Sequence, residues 1–198
     1  MARHTADAIG NFFQYGFDPV KRTLYMGSTE YEGEFGESGV NSTMVERIIK
    51  GLHLLDYGDF SPITIKMNNP GGDVYSGIAI YDAIAACHSE VTIIVYGQAI
   101  SMGCFILQAA DHRVLMPHAT IMWHPGTDEF VGHITDMERA VAENKRLCVM
   151  AEQIFLPRIR EAIPDYTSER YYSEFAFDCY LSAEDAVKMG LADTILEN

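Results

Sequence analysis

The sequence predicts an α/β protein with a mostly parallel sheet, and two observations lead to this prediction. Short apolar strand patterns alternate along the chain with segments whose apolar residues recur at helical spacing. The run VTIIVY at 91–96 is apolar throughout, as in a strand that is covered on both faces. Such alternation is typical of parallel strands joined by crossover helices.

The chain has 198 residues, which one domain with a substantial core accounts for. Residues 1–20 are first polar and then aromatic, and Gly16 and Pro19 interrupt them. We therefore expect an arm or loop over residues 1–21 and a single domain over residues 22–198.

The helices are predicted from their starts and stops. Thr43 and Glu46 form a capping-box pattern at the start of the first helix. A long amphipathic helix begins near Ile134, and Pro157 should kink or restart it. Apolar strand patterns predict strands at 23–27, 62–67, 91–96, 113–117, 120–123 and 191–196. Three more helices are predicted: one at 74–87, one that begins directly after Ser101, and one at 183–189 between a Ser182 cap and Gly190.

Composition excludes several classes of function. The formal net charge of −14 argues against a nucleic-acid partner, because duplex binding needs a positive surface. It favours a protein or peptide as partner. The sequence contains no P-loop and no GxGxxG motif, and no apolar run reaches the length of a signal peptide or a membrane span. We expect no membrane association.

The four cysteines are widely and irregularly spaced, without a CxxC pair, so a zinc site is not expected. They are predicted to be reduced core residues, which favours a cytoplasmic protein. The acidic residues at 128, 129, 136 and 138 are interpreted as a solvated face. The sequence thus predicts neither a metal nor a cofactor.

Three segments follow strands at positions where the loops of an α/β sheet bind ligands: KMNNPGG, VYGQAISMG and IMWHPG. The Ser101 hydroxyl has no use in a core. It can cap the following helix, or it can be a nucleophile whose oxyanion is met by the Met102 N–H at the helix start. Gly71 and Gly72 can form an ordinary tight turn, or they can present backbone N–H groups to a ligand.

A nucleophilic serine needs a base and an orienting acid. His124 ends an apolar strand at the predicted edge of Ser101, whereas His112 and His118 flank the beginnings of strands at the opposite edge. Asp178 is an acid in an apolar stretch, where burial is costly without a partner. Two other acids, Glu174 and Asp185, are alternatives, although Asp185 already has a capping role.

Four segments together resemble the proteolytic subunit of the Clp protease family: NNPGGDVYSGIAIYDAI, GQAISMGCFIL, IMWHPG and FDCYLSAEDAVKMGLADTI. The resemblance covers about residues 22–196. It implies a crotonase-like spiral of βα units with a protruding handle helix, here the helix from Ile134. It also implies a barrel of two stacked heptameric rings, a homo-oligomeric tetradecamer, which hydrolyses unfolded proteins and peptides without itself using ATP.

The same resemblance assigns roles to residues at matching positions. Ser101 would be the nucleophile, His124 the general base and acid, and Asp178 the orienting carboxylate. The backbone N–H groups of Gly72 and Met102 would form the oxyanion hole. Gly71, Gly126 and Thr127 would contact the extended peptide substrate.

The sequence departs from the family pattern at several positions. Asn69 stands where the family has serine, and Ile100 stands where it has alanine. The usual His-Gln-Pro is shortened to His124-Pro125, and the segment between Ser101 and His124 is slightly shorter. Pro157 is unexpected in the handle helix. The first residues do not resemble the segment that helps to dock an ATP-driven (AAA+) unfoldase, so this partnership stays open.

Three alternatives remain at this point. Divergent relatives in phages include capsid maturation proteases, which would use the same triad. A non-enzymatic ring or scaffold subunit would need no triad. A crotonase-type acyl-CoA enzyme would share the βα spiral, but it would need carboxylates for acid–base chemistry and a basic patch for the CoA phosphates.

Overall fold

In the computed structural model, which describes residues 6–27, 39–126 and 131–197, a single sheet carries all the predicted strands. Five strand pairs are parallel and two are antiparallel in the described part of the chain. The predicted α/β architecture with a mostly parallel sheet is confirmed. The strands are β1 (Phe17–Asp18), β2 (Thr23–Met26), β3 (Ile63–Asn69), β4 (Val91–Ile100), β5 (His112–Leu115), β6 (Thr120–Trp123), β7 (Cys179–Leu181) and β8 (Thr194–Ile195).

The helices connect these strands and pack on the sheet. They are α1 (Ala6–Tyr15), α2 (Ser42–Leu55), α3 (Val74–Ala85), α4 (Met102–Leu107), α5 (Ile134–Ala162), α6 (Ser168–Glu174) and α7 (Ala183–Met189). Within the residues described, no helix is both long and apolar enough to span a membrane.

The N-terminal segment differs from its prediction. Residues 6–18 form helix α1 and strand β1, which pairs antiparallel with β2 at the edge of the sheet, rather than an arm or loop. The Phe12 ring packs edge-to-face on Tyr25 of β2, with 5.1 Å between centroids. Gly16 ends the helix at φ +61°, and its carbonyl accepts the Tyr25 amide. A tertiary contact thus orders a segment with little local pattern.

The predicted capping box of Thr43 and Glu46 is also wrong. Asn41 caps α2, since its side chain accepts the Met44 amide at 2.9 Å, and the helix starts one residue before Thr43. Asn41 has the extended backbone that an N-cap requires. At the other end of the chain, the predicted Ser182 cap and Gly190 stop of α7 are both confirmed.

Helix α5 runs as one element through Pro157, so the predicted restart does not occur. Proline frees the carbonyl four residues earlier, that of Gln153, and both residues lie on the exposed face where water can bond to it. The buried residues of α5 all lie at or after Ala151. The first half of the helix therefore extends past the core.

Strand β4 is longer than predicted and changes partner midway. Its first half pairs with β5, and residues 98–100 pair with β6 instead. On its other side, the register with β3 shifts between Met67 and Asn69, where β4 gains two residues. This irregularity carries β4 forward to Ser101, so that Ser101, the end of β6 and the end of β3 meet at one edge.

Candidate active site

Ser101 is the single residue between strand β4 and helix α4. Its backbone has φ +53° and ψ −119°, a conformation that residues with a side chain rarely adopt. Its hydroxyl caps none of the amides of α4, all of which the structure describes. The helix-capping interpretation is therefore wrong. Strained strand-to-helix turns of this kind expose the nucleophile in α/β-hydrolases.

His124 follows strand β6 directly. Because β6 runs parallel to the end of β4, with Ile100 opposite Met122, its end lies beside Ser101. The His124 Nε2 atom is 2.9 Å from Ser101 Oγ. The competing histidines do not share this edge: His112 is the first residue of β5, and His118 precedes β6.

Asp178 reaches His124 through an antiparallel pair. Strand β7 pairs with β6 so that Trp123 lies opposite Cys179, and this register sets Asp178 beside His124. Asp178 Oδ1 is 3.2 Å from His124 Nδ1. A carboxylate can only accept, so this contact keeps the proton on Nδ1 and leaves Nε2 to accept from the Ser101 hydroxyl.

The prediction that Asp178 lies buried in an apolar stretch is wrong, although its side chain lies at the site. Asp178 is 55% exposed, and its neighbours Phe177 and Tyr180 are also exposed, so no buried charge demands a partner. The alternative acids have other contacts. Glu174 accepts from the Tyr166 hydroxyl at 2.6 Å, and Asp185 accepts from the Ser182 hydroxyl at 2.8 Å.

The Pro-Gly-Gly segment lies against the start of α4. A Cβ built on Gly71 would be 2.7 Å from Ser101 Cβ and 3.2 Å from the Met102 nitrogen. Gly71 and Gly72 have φ values of +95° and +143°, which glycine adopts at low cost. The turn is therefore more than a surface reversal, since only a residue without a side chain fits between Asn69 and Ser101.

Of the three backbone amides of Gly71, Gly72 and Asp73, two donate to acceptors among the described residues. The Gly71 amide donates to Asn69 Oδ1 at 2.8 Å, and the Asp73 amide donates to the Val40 carbonyl at 2.8 Å. No acceptor among the described residues takes the Gly72 amide between them, or the Met102 amide at the start of α4. Two N–H groups near Ser101 are thus available to a ligand.

The predicted peptide-binding segment is described only in part. Gly126 has φ +87°, and a Cβ built on it would meet nothing within 4 Å, so this backbone borders open space. Thr127 lies outside the described residues. A cavity of about 130 Å³ lies beside the residues that flank His124, and its walls are mainly apolar. Its lining includes Trp123, Pro125, Ala151 and Phe175.

The strand that leads to His124 rests on a cluster of aromatic side chains. The Trp123 ring packs on Phe155 of α5 with 4.7 Å between centroids. Its indole N–H donates to the Tyr171 hydroxyl of α6 at 3.1 Å, and burial raises the pKa of Tyr171. This packing orients the residue next to His124, so the position of the imidazole depends on α5 and α6.

Asn69, which departs from the family pattern, lies at the site, although the sequence analysis predicts no role for it. It is fully buried, and its side chain bonds to the Gly71 amide. The alternation in β3 could have revealed it, because Asn69 shares the buried face of Ile65 and Met67. A polar side chain at such a core position indicates a bonding role.

Among the residues that the structure describes, no three His, Cys, Asp or Glu side chains converge as metal ligands would. All four cysteines are free. The groups available for chemistry at this edge are a hydroxyl, an imidazole, a carboxylate and two backbone N–H groups.

Comparisons with known proteins point to one family. A family model described as Clp protease matches residues 34–198. The ATP-dependent Clp protease proteolytic subunit of Deinococcus radiodurans is 34% identical over 161 residues, which cover 80% of this chain and 76% of the relative. The proteolytic subunit 3 of Synechococcus sp. (strain CC9605) is 34% identical over 185 residues, 90% of this chain and 84% of the relative.

A solved structure of a ClpP1 mutant from Listeria monocytogenes superposes with a TM-score of 0.73 at 26% identity, covering 91% of this chain and 94% of that one. The predicted Clp-protease-type fold is thereby confirmed. The chain belongs to the Clp protease family, and it is a serine-type endopeptidase of that family.

Proposed function

We propose that this chain is the proteolytic core subunit of a compartmentalised protease and cleaves peptide bonds with a Ser101–His124–Asp178 triad. The observation that supports this most is the chain of contacts from Ser101 Oγ to His124 Nε2 at 2.9 Å and from His124 Nδ1 to Asp178 Oδ1 at 3.2 Å. Ser101 has φ +53°, and its hydroxyl caps none of the amides of α4, so helix capping does not account for it.

In the first half of the reaction, Ser101 Oγ attacks the peptide carbonyl carbon while His124 Nε2 takes the hydroxyl proton. Asp178 holds the imidazole in the tautomer that can accept it and stabilises the imidazolium. His124 then gives the proton to the leaving amine nitrogen, and an acyl-enzyme forms on Ser101. In the second half, His124 Nε2 takes a proton from water while the water oxygen attacks the ester carbon. The bond between that carbon and Ser101 Oγ then breaks, His124 returns the proton to Ser101 Oγ, and the carboxylic acid product leaves.

The negative charge that develops on the carbonyl oxygen needs donors already in place. The Gly72 and Met102 amides are the candidates, because no described acceptor takes them. Gly71 and the open backbone at Gly126, with Thr127 after it, would bind the substrate main chain as an added strand. Recognition of main-chain groups suits unfolded proteins and peptides of varied sequence.

We infer that the subunit works in stacked heptameric rings and that the first half of α5 is the handle between rings. This half of the helix exposes the apolar side chains of Ile134, Met137 and Val141, which an isolated subunit would leave in water. The curated relatives are named as ATP-dependent. The triad itself has no use for ATP, so an ATP-driven unfoldase would act as a separate partner.

A fluorophosphonate probe with intact-mass analysis tests the catalytic assignment. We expect a single adduct on the wild type and none on Ser101→Ala. Asp178→Asn should remain folded and lose turnover by roughly 10³–10⁴-fold, because the wrong histidine tautomer is then favoured.

Labelling that persists in Ser101→Ala would refute the assignment. Absence of labelling, together with no cleavage of casein or small peptides, would instead favour a scaffold or inactive ring subunit. A capsid maturation protease would take the probe but spare casein. Native mass spectrometry of the labelled protein reports the subunit number and the active-site occupancy together, and a mass other than fourteen subunits would contradict the proposed barrel.

A further inference from the structure

The side-chain amide of Asn69 is buried and forms hydrogen bonds through both its nitrogen and its oxygen. It is the last residue of β3 and has 0% exposure. Its Nδ2 donates to the Gly27 carbonyl at 3.2 Å, and its Oδ1 accepts the Gly71 amide at 2.8 Å. These partners fix the orientation of the amide, because a flip would set donor against donor and acceptor against acceptor.

The segment that Asn69 holds has little stiffness of its own. Gly71 and Gly72 are consecutive glycines, and glycine has the widest range of backbone conformations. Val40 restrains one side, since its amide donates to the Gly71 carbonyl at 2.7 Å and its carbonyl accepts the Asp73 amide. On the other side, the restraint on the Gly71 N–H is the Asn69 side chain.

Asn69 also contacts the start of helix α4. A Cβ built on Gly103 would be 3.0 Å from the Asn69 carbonyl oxygen and 3.2 Å from its Oδ1. One residue therefore packs against both segments that carry the free amides, those of Gly72 and Met102. A change in its side chain would alter the distance between these two N–H groups.

We propose that Asn69 is a positioning residue that sets the geometry of the oxyanion hole through Gly71. This inference rests on the proposed function and adds to it. Asn69 touches neither substrate nor Ser101 Oγ, so its removal should leave substrate binding intact and weaken the transition state alone. Asn69→Ser, with a shorter side chain that can still accept the Gly71 amide, should retain more activity than Asn69→Ala.

The test measures kcat and KM on a fluorogenic peptide, and Ki for two analogues of that peptide. The peptide aldehyde forms a tetrahedral adduct with a serine nucleophile, whereas the matching alcohol binds without one. For Asn69→Ala we expect kcat to fall by roughly 10²-fold, as for other small misplacements of catalytic groups, with little change in KM. Aldehyde affinity should fall in parallel, and alcohol affinity should stay within about twofold, as expected when only transition-state binding is lost.

Gln108→Ala is the matched control. Gln108 is also a buried amide, 1% exposed, and its Nε2 donates to the Cys104 and Leu191 carbonyls at the far end of α4. This variant should lose thermal stability like Asn69→Ala and keep its kcat. An equal loss of kcat in both variants, or an equal loss of aldehyde and alcohol affinity in Asn69→Ala, would overturn the inference.

If Asn69→Ala does not fold, Asn69→Leu, which is similar in size and cannot accept the Gly71 amide, decides the question with the same pair of analogues. A selective loss of aldehyde affinity supports the positioning role, and an unchanged ratio of the two affinities refutes it. A wild type that binds aldehyde and alcohol equally would refute the proposed function and the inference with it. If the wild type binds the aldehyde more tightly than the alcohol, and both Asn69 variants keep the same ratio of affinities, the inference about Asn69 is refuted while the proposed function stands.

Discussion

Gly71→Ala tests the close contact between the Pro-Gly-Gly turn and Ser101. The new methyl group would lie 2.7 Å from Ser101 Cβ, while ordinary contacts begin at 3.4 Å, so one of the two segments must move by about 0.7 Å. A displacement near 1 Å at a catalytic group costs about 10²-fold in rate. The positive φ adds strain of about 1–3 kcal/mol, and the overpacking adds about 1–3 kcal/mol more.

Gly58→Ala separates these effects. Gly58 has φ +104°, close to the +95° of Gly71, but a Cβ built on it would meet nothing within 4 Å. Both variants should lose thermal stability, and Gly71→Ala should lose roughly twice as much, with a rate of fluorophosphonate labelling about 10²-fold below wild type. The reasoning is refuted if the two variants melt together and label at the wild-type rate.

Two further predictions concern stability. Ser101→Gly should melt about 2–4 °C above Ser101→Ala, because glycine relieves the backbone strain at φ +53°; the net gain is about 1 kcal/mol once the larger conformational entropy of glycine in the unfolded state is subtracted. Differential scanning calorimetry measures the two melting points, and a lower value for the glycine variant would contradict the prediction. Burial raises the pKa of Asp56, but hydrogen bonds from the His88 and Ser89 amides outweigh this and hold it well below its usual value. Its stabilisation is therefore present above the unfolded pKa of about 3.9 and is lost as the pH falls through the folded value. Urea denaturation should show Asp56→Asn less stable than wild type by about 1–2 kcal/mol at pH 7, with the difference narrowing below about pH 4, and a gap independent of pH would rule this explanation out.

The sequence predicts that Ser101 and His124 lie close together, because each of them follows the end of a strand. Ser101 and His124 each follow an apolar strand, and parallel strands bring such residues to one edge. The sequence distinguishes Asp178 from Glu174 less clearly than it identifies Ser101 and His124. The decisive fact is the antiparallel register of β7 on β6, and β7 is too short and too exposed to reveal that register in its pattern.

Other features could not be predicted because tertiary contacts decide them. The apolar run of β4 ends near Tyr96, and residues 98–100 continue the strand by pairing with β6 in place of β5. Helix α1 contacts the sheet through Phe12, whose ring packs on Tyr25. Local sequence records neither contact, so the predicted strand ends four residues before Ile100 and the N-terminal segment is predicted as an arm or loop.

Hydrogen bonds to strand β6 and helix α4 stabilise the strained backbone conformation of Ser101. Its amide donates to the Met122 carbonyl of β6 at 2.8 Å, and its carbonyl accepts the Phe105 amide of α4 at 3.1 Å. All six residues of α4 are buried, and burying one large apolar side chain such as Phe105 contributes about 1.5–3 kcal/mol, which already matches the cost of the strained backbone. Ser101 therefore keeps its orientation toward His124 only while α4 and β6 stay packed. Loosening either element should misalign the hydroxyl before the subunit unfolds.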